Sequence, residues 1–308
     1  NVVDSLVVGN VLGKEALAAV TSSGSLIFLL VGFVQGLFMG GSVIISRYIG
    51  ARDDAKVSTA VHTMIAFSFL AGVVLTVVGV LVTPVLLRLM GTPEDVMPNS
   101  VIYFRVYFYG AIGVAMYNST SSIFRAVGDS KHPLYYLIVS AGLNVVLDIL
   151  FVSVFRFGIA GAAFATCISQ FVSAIISFVK LTRIEGPARL KVREIRLERA
   201  MLKAMVRLGF PAGVQNSVIS IANVVVQSNI NAFGSVAMAG CGSYSKLEGF
   251  AFLPITSFSM ALTTFIGQNL GAEKYDRVKK GARFGVIAGI SLAELTGVIL
   301  VLFAPVLV

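Results

Sequence analysis

The stretch ALAAVTSSGSLIFLLVGFVQGLFMGGSVIISRYIGARDD, residues 16–54, decides the fold. Its apolar run is longer than the roughly 20 residues a helix needs to cross a hydrocarbon core about 30 Å thick. It ends in a short basic segment around Arg47 and Arg52. Working outward from it, runs of the same kind recur along all 308 residues, 56% of which are hydrophobic and only 13% charged. The mean hydropathy is +0.89. A soluble globule of this size needs a wetted exterior and cannot hide so much apolar surface. The runs are also too long for barrel strands and lack polar–apolar alternation. The fold class is therefore an all-α polytopic membrane protein.

Nine helices are predicted: the end of a first at 1–12, then 16–48, 56–87, 96–124, 133–153, 159–182, 201–232, 236–269 and 277–307. Every second loop is basic. Nineteen Lys and Arg residues, with their flanks, fall on one side, against Lys14, Arg88 and Arg156 on the other. The positive-inside rule places the basic face in the cytoplasm. The net charge of +9 then reflects loops facing an anionic leaflet, and nucleic acid is not an expected partner. The longest polar segment, RIEGPARLKVREIRLERA (183–200), reads as a linker between two bundles. Its Leu190, Ile195 and Leu197, set among charges, also fit a helix lying on the membrane surface.

Shifting the chain by 221 residues exposes an internal repeat. LGKEALAAV (12–20) falls on FGSVAMAGC (233–241), and IGAR (49–52) falls without a gap on LGAE (270–273). Gly13/Gly234, Ala16/Ala237, Ala18/Ala239, Met39/Met260, Gly50/Gly271 and Ala51/Ala272 coincide. Six helices separate the copies, so both cross the membrane in the same direction. A parallel repeat predicts two bundles around an axis along the membrane normal, with substrate between them.

These residues resemble one family. VVDSLVVGNVLGKEALAAV is similar to the first and second helices of multidrug and toxic compound extrusion (MATE) transporters. ISRYIGARD and its echo IGQNLGAEK resemble the family's signature after helices two and eight. NVVLDILFV (144–152) with FGIAGAAFATCISQ (157–170) resembles helices five and six, and LGFPAG (208–213) the start of helix seven. The resemblance implies twelve helices in two six-helix lobes around a V-shaped cleft that opens alternately to each side. On that template the chain divides into an N-terminal lobe (1–182, first helix incomplete), a basic cytoplasmic linker (183–200) and part of a C-terminal lobe (201–308). Asn1 opens inside an apolar run and Val308 closes inside another, so truncation at both ends is expected. The helix-seven stretch PAGVQNSVIS carries Gln215 and Asn216 but no carboxylate, which places the chain nearer the DinF-like branch.

An ionisable group inside a membrane helix is costly and is a functional candidate by default. Asp4 lies in VVDSLVV, where the resemblance implies a coupling carboxylate. Asn144 and Asp148 are four apart, on one helical face, and offer hard oxygen ligands for Na⁺ or a carboxyl able to hold a proton. A polar pair gluing two helices is the structural alternative. Thr166 matches a further polar position of the family. The resemblance implies that Asp4, Asn144, Asp148 and Thr166 converge inside the N-terminal lobe as the cation site, a metal site only if the coupling ion is Na⁺. Binding a proton or Na⁺ removes a buried charge and changes the preferred packing. Gln35, Met39, Lys246, Glu248, Phe258 and Met260 are candidates for the substrate cleft. Glu294 has no partner legible in sequence. Gly36, Gly40, Gly41, Pro211 and Pro254 are read as pivots or packing devices. The aromatic cluster Tyr103–Tyr109 around Arg105 is read as an interfacial anchor.

The expected function is secondary active multidrug export, antiporting organic, often cationic, compounds against H⁺ or Na⁺. The expected setting is the bacterial inner membrane, as a monomer in the lipid bilayer, without a cofactor beyond the coupling ion. A flippase for lipid-linked oligosaccharides is the nearest alternative, disfavoured because only Lys246 and Arg105 bring positive charge into the membrane. An intramembrane enzyme would need a Ser/Lys or Asp pair or an H-E-x-x-H motif. None is present, and a receptor is disfavoured by the buried carboxylates. Cys167, Cys241, His62 and His132 fit no metal or redox spacing and read as structural filler.

Overall fold

The computed structural model describes residues 2–89, 92, 94, 96–232 and 235–307, with side chains described at most but not all of these positions. Among the described residues the chain is mostly helical, without strands. Ten α-helices follow in order: α1 (Val2–Leu12), α2 (Lys14–Gly50), α3 (Asp54–Leu89), α4 (Met97–Tyr109), α5 (Ala111–Val127), α6 (Lys131–Asp148), α7 (Gly158–Arg183), α8 (Arg199–Ala232), α9 (Ser235–Gly271) and α10 (Tyr275–Leu307). A π-helical turn, Ile149–Val154, extends α6, and a 3₁₀ turn, Val192–Glu194, lies between α7 and α8. Five stretches among the described residues are long and apolar enough to cross a membrane: Ile27–Gly50, Asp54–Arg88, Lys131–Val154, Gly158–Arg183 and Tyr275–Ile299.

The span expected at 96–124 is two helices, α4 and α5, broken at Gly110. The break has a packing cause. The backbone at Gly110 presses on α7 so closely that a Cβ there would lie 2.6 Å from Cys167 Sγ. The Gly110 N–H turns to Tyr107 O, 2.9 Å, which frees the Val106 carbonyl. The Cys167 thiol donates to that carbonyl at 3.1 Å, and the Thr76 hydroxyl donates to Phe108 O at 2.9 Å. Cys167 is thus more than filler, because it re-satisfies a backbone group inside the membrane. Cys167→Ser is expected to keep stability, whereas Cys167→Val leaves the carbonyl unsatisfied and costs about 1–3 kcal/mol. Thermal unfolding in detergent measures the difference. The aromatic cluster is also corrected: Tyr103, Phe104 and Phe108 are buried in the bundle, and only Tyr109 and Arg105 are exposed in the manner of an anchor.

Helix α2 is the hub. It packs against α1, α3, α4 and α5 in its own lobe and against α8 and α9 across the seam. The α2–α8 crossing is a backbone contact. A Cβ on Gly36 would lie 2.2 Å from Gly213 N, and one on Gly40 would lie 2.2 Å from Met205 O and 2.4 Å from Gly209 N. Both helices therefore present small-xxx-small ridges, the arrangement by which membrane helices approach most closely. Asn216 Nδ2 donates to Gly32 O at 2.9 Å, and Phe33 meets Phe210 edge to face, extending the seam one turn further.

The 221-residue register reappears as geometry. Arg52 and its equivalent Glu273 both take a left-handed backbone, φ 56°. Ala51 N–H donates to Arg47 O at 2.9 Å, and Ala272 N–H to Gln268 O at 3.0 Å. The two helix ends also meet each other. A Cβ on Gly50 would lie 1.8 Å from Gln268 O, and one on Gly271 would lie 1.8 Å from Arg47 O. Since Gly50 corresponds to Gly271 and Arg47 to Gln268, the contact is reciprocal, the mark of a local twofold axis. Thr264 and Gln268 of α9 add bonds to Arg125 O and Ala126 O of α5, at 3.3 and 2.9 Å. All of this lies at the face that carries the basic loops.

The 183–200 segment is a tucked linker rather than a helix on the membrane surface. Leu190 and Ala188 are buried in the same apolar core as Val57, Val61 and Ile65 of α3. Leu190 N–H donates to Leu181 O at 3.0 Å, and Lys191 N–H donates to His62 Nε2, also at 3.0 Å. That bond leaves the proton on Nδ1, which donates to Ser58 O at 2.6 Å. Burying Leu190 beneath α3 outweighs exposing it at an interface, because the α3–α7 corner already offers an apolar socket.

At the start of α6 the Asp129 carboxylate accepts the backbone N–H groups of Lys131 and His132, at 3.1 and 3.2 Å, and the His132 ring. Burial pushes the Asp129 carboxyl up, but these bonds outweigh it and hold it below the usual carboxylate range. A depressed carboxyl stabilises the fold at neutral pH, and that contribution is lost as pH falls through about 4 and below. Asp129→Ala is expected to cost about 1 kcal/mol at pH 7, as for a lost helix cap, and less near pH 3. Unfolding midpoints at the two pH values check this.

Candidate functional site

Helices α6 and α7 lie side by side and share a row of polar side chains. Ser140, Asn144 and Asp148 follow at i, i+4 and i+8 on α6, hence on one face. Ser140 Oγ donates to Ser169 O at 2.8 Å. One turn on, Asn144 Nδ2 lies 3.4 Å from Thr166 Oγ1. One turn before Thr166 on α7, Ala162 and Ala163 are fully buried. Asp148 is itself 0% exposed and Thr166 8% exposed, while Asn144 is half-buried.

Asp148 is also the last residue before the π-helical turn, where Phe155 N–H reaches back to Leu150 O at 2.8 Å. A π-turn loosens the backbone ladder, and such turns are frequent at functional positions. Helix α1 packs against α6, the π-turn and α7, the elements that carry Asn144, Asp148 and Thr166. Asp4 belongs to α1, but its side chain lies outside the described residues. The structure therefore brings Asn144 and Thr166 together, buries Asp148 on the same row, and sets the helix of Asp4 against them. Chemically, the row offers carboxylate, amide and hydroxyl oxygens to a proton or a hard cation.

The candidate cleft residues separate. Gln35 and Met39 share an exposed face of α2, and Gln35 Nε2 donates to Asn118 Oδ1 of α5 at 3.2 Å. Met260, the repeat equivalent of Met39, is exposed on α9. Phe258 instead turns to α10, where its ring meets Phe284 with centroids 6.4 Å apart. The side chains of Lys246 and Glu248 lie outside the described residues, and Glu294 is exposed on α10. Sequence reasoning missed Asn118, whose α5 carries no charge at that level, and Gln268, which the 221-residue shift pairs with Arg47.

Two helical lobes joined at a twofold seam, with a carboxylate buried in one of them, define a polytopic membrane transporter fold. The sequence pattern of the MatE family matches residues 1–150 and 211–308. The chain belongs to that family, the MATE transporters. It is 35% identical over 291 residues to a probable multidrug resistance protein, YoeA, of Bacillus subtilis (strain 168), covering 92% of this chain. The chain spans 63% of that relative's length. A crystal structure of MATE in the bent conformation superposes with a TM-score of 0.91 at 26% identity, covering 99% of this chain and 68% of the other. A multidrug resistance MATE family transporter of the MOP superfamily in its outward-facing conformation gives 0.89 at 27% identity, covering 100% of this chain and 68% of that one.

Proposed function

We propose that this chain forms the N-terminal lobe (1–182), linker (183–200) and part of the C-terminal lobe (201–308) of a secondary active multidrug exporter. It exchanges organic, often cationic, compounds for H⁺ or Na⁺ by alternating access, as a monomer in the bacterial inner membrane. The cation site is Asp4, Asn144, Asp148 and Thr166, and no further cofactor is needed. The observation that carries this reading is Asp148, a carboxyl with 0% exposure inside a membrane span. A charge there is costly in lipid, so a residue of this kind marks an ion pathway. Loading a proton or Na⁺ there changes the charge that the lobe encloses. Coupling follows if the loaded and empty carboxyl prefer different lobe packings.

The seam supplies the two-state element. With α2 closed on α8 and α9 at the basic face, the substrate path is sealed on the side the positive-inside rule assigns to the cytoplasm. The likeness to an outward-facing relative supports the same reading. Dye efflux from proteoliposomes tests the proposal under an imposed proton gradient, an imposed sodium gradient, or neither. Gradient-driven efflux is expected with one of the two ions, and efflux independent of both overturns antiport.

A further inference from the structure

One face of α3 changes character along its length. Ser58, His62, Ile65 and Phe69 follow at i, i+4, i+7 and i+11, so they form a single stripe. Ser58 and His62, with Thr59, line a polar cavity of about 280 Å³ closed by Arg193, Glu194, Ile195 and Arg196 of the linker. Deeper in the membrane, Ile65 and Phe69 line a groove of about 550 Å³ between α3, α5 and α7, where every lining residue is apolar. Ile195 lines both spaces, so they are neighbours on one path. From Ser58 to Ile65 the helix rises about 10 Å. The stripe therefore passes from charge to hydrocarbon over the distance that separates a lipid phosphate from its acyl chains.

The charges in the polar cavity are selective. Glu194 is held by Lys191, Nζ to Oε1 2.9 Å, and this bond keeps its carboxyl below the usual range. Arg193 and Arg196 both line the cavity with exposed side chains and leave it net positive. The Ser58 hydroxyl adds a donor beside them, while the Thr59 hydroxyl donates within its own helix, to Ala55 O at 2.9 Å. In the groove Phe69 is 56% exposed and Ile175 59% exposed, so it opens sideways to the acyl phase.

We propose that this corner holds one anionic phospholipid of the basic-face leaflet, with its phosphate among Arg193, Arg196 and Ser58 and an acyl chain between α3, α5 and α7. Such a lipid staples the linker, which leads from α7 to α8, onto α3. Guanidinium groups suit the phosphate because they present planar, forked donors, and the leaflet supplies the attraction.

The test uses the purified protein in detergent, incubated with phosphatidylglycerol, with phosphatidylcholine of the same chains, or with glycerol 3-phosphate. Retained lipid is counted by native mass spectrometry. One phosphatidylglycerol per chain is expected, retained about tenfold or more over phosphatidylcholine, with no competition from glycerol 3-phosphate. Arg193→Gln with Arg196→Gln is expected to remove the roughly tenfold preference, since each basic side chain near a leaflet contributes a comparable factor. Ala66→Phe fills the groove and is expected to lower retention of both lipids; Phe69→Ser, at an exposed position, serves the same purpose if that variant does not fold. Equal retention of the two lipids by the unmodified protein, or unchanged phosphatidylglycerol retention in the Arg and groove variants, overturns the proposal. So does competition by glycerol 3-phosphate, which would identify a free anion site.

Discussion

Asp148→Asn is expected to cut gradient-driven efflux by about tenfold or more while leaving the fold intact. The substitution keeps the shape of a side chain that has 0% exposure, so packing against α7 and the π-turn is preserved. What it removes is the ability to switch between charged and neutral forms. Coupling free energies between sites typically amount to about 1–3 kcal/mol, a factor of about 5 to 150, and loss of the switch forfeits that factor. Thermal unfolding of the Asn variant in detergent, measured beside efflux, reports whether the fold is kept. The two measurements together discriminate. Efflux retained at the parental rate removes Asp148 from coupling, and efflux lost together with the folded state identifies a structural residue. Thr166→Val, which deletes the hydroxyl facing Asn144, is expected to follow the same pattern to a smaller extent.

The second large effect lies at the seam. A side chain at Gly50 or Gly271 has no room, since its first carbon would sit 1.8 Å from a carbonyl oxygen of the opposite lobe. Gly271→Val is therefore expected to cost the closed basic face about 1–3 kcal/mol through overpacking, moving the population of open and closed states by about 5- to 150-fold. A cysteine pair reads that population. A Cβ on Gly267 would lie 2.9 Å from Ser46 Cβ, near the range that a disulfide spans after slight relaxation. Ser46→Cys with Gly267→Cys, in a Cys241→Ser background, is expected to cross-link rapidly and to stop efflux until reductant is added. Adding Gly271→Val is expected to slow the cross-linking. If the pair cross-links without affecting efflux, the seam does not open in the transport cycle.

Much of this was legible before any coordinates. The apolar runs, each long enough to span a bilayer, lead to the helices. The 221-residue register foretells two related lobes, and it reappears in the matching backbone at Arg52 and Glu273. Asn144 and Asp148 are visible as a pair because a four-residue spacing is a helix face. Three things were not legible. The break at Gly110 arises from pressure by Cys167 of α7, which lies more than fifty residues away in sequence. Leu190 resembles an interfacial residue until the α3–α7 corner supplies a socket for it. Phe258 turns to α10, and no local pattern in α9 announces that packing.

Local chemistry was enough for class and repeat, because helix formation and hydropathy act over a few residues and leave a periodic trace. Which backbones touch, which carbonyls are freed and which cavities join are set by contacts between distant segments. The reciprocal meeting of Gly50 with Gln268 and of Gly271 with Arg47 belongs to that second kind. A glycine in a sequence says only that close approach is allowed, and the partner that arrives is chosen by the packing of the whole bundle.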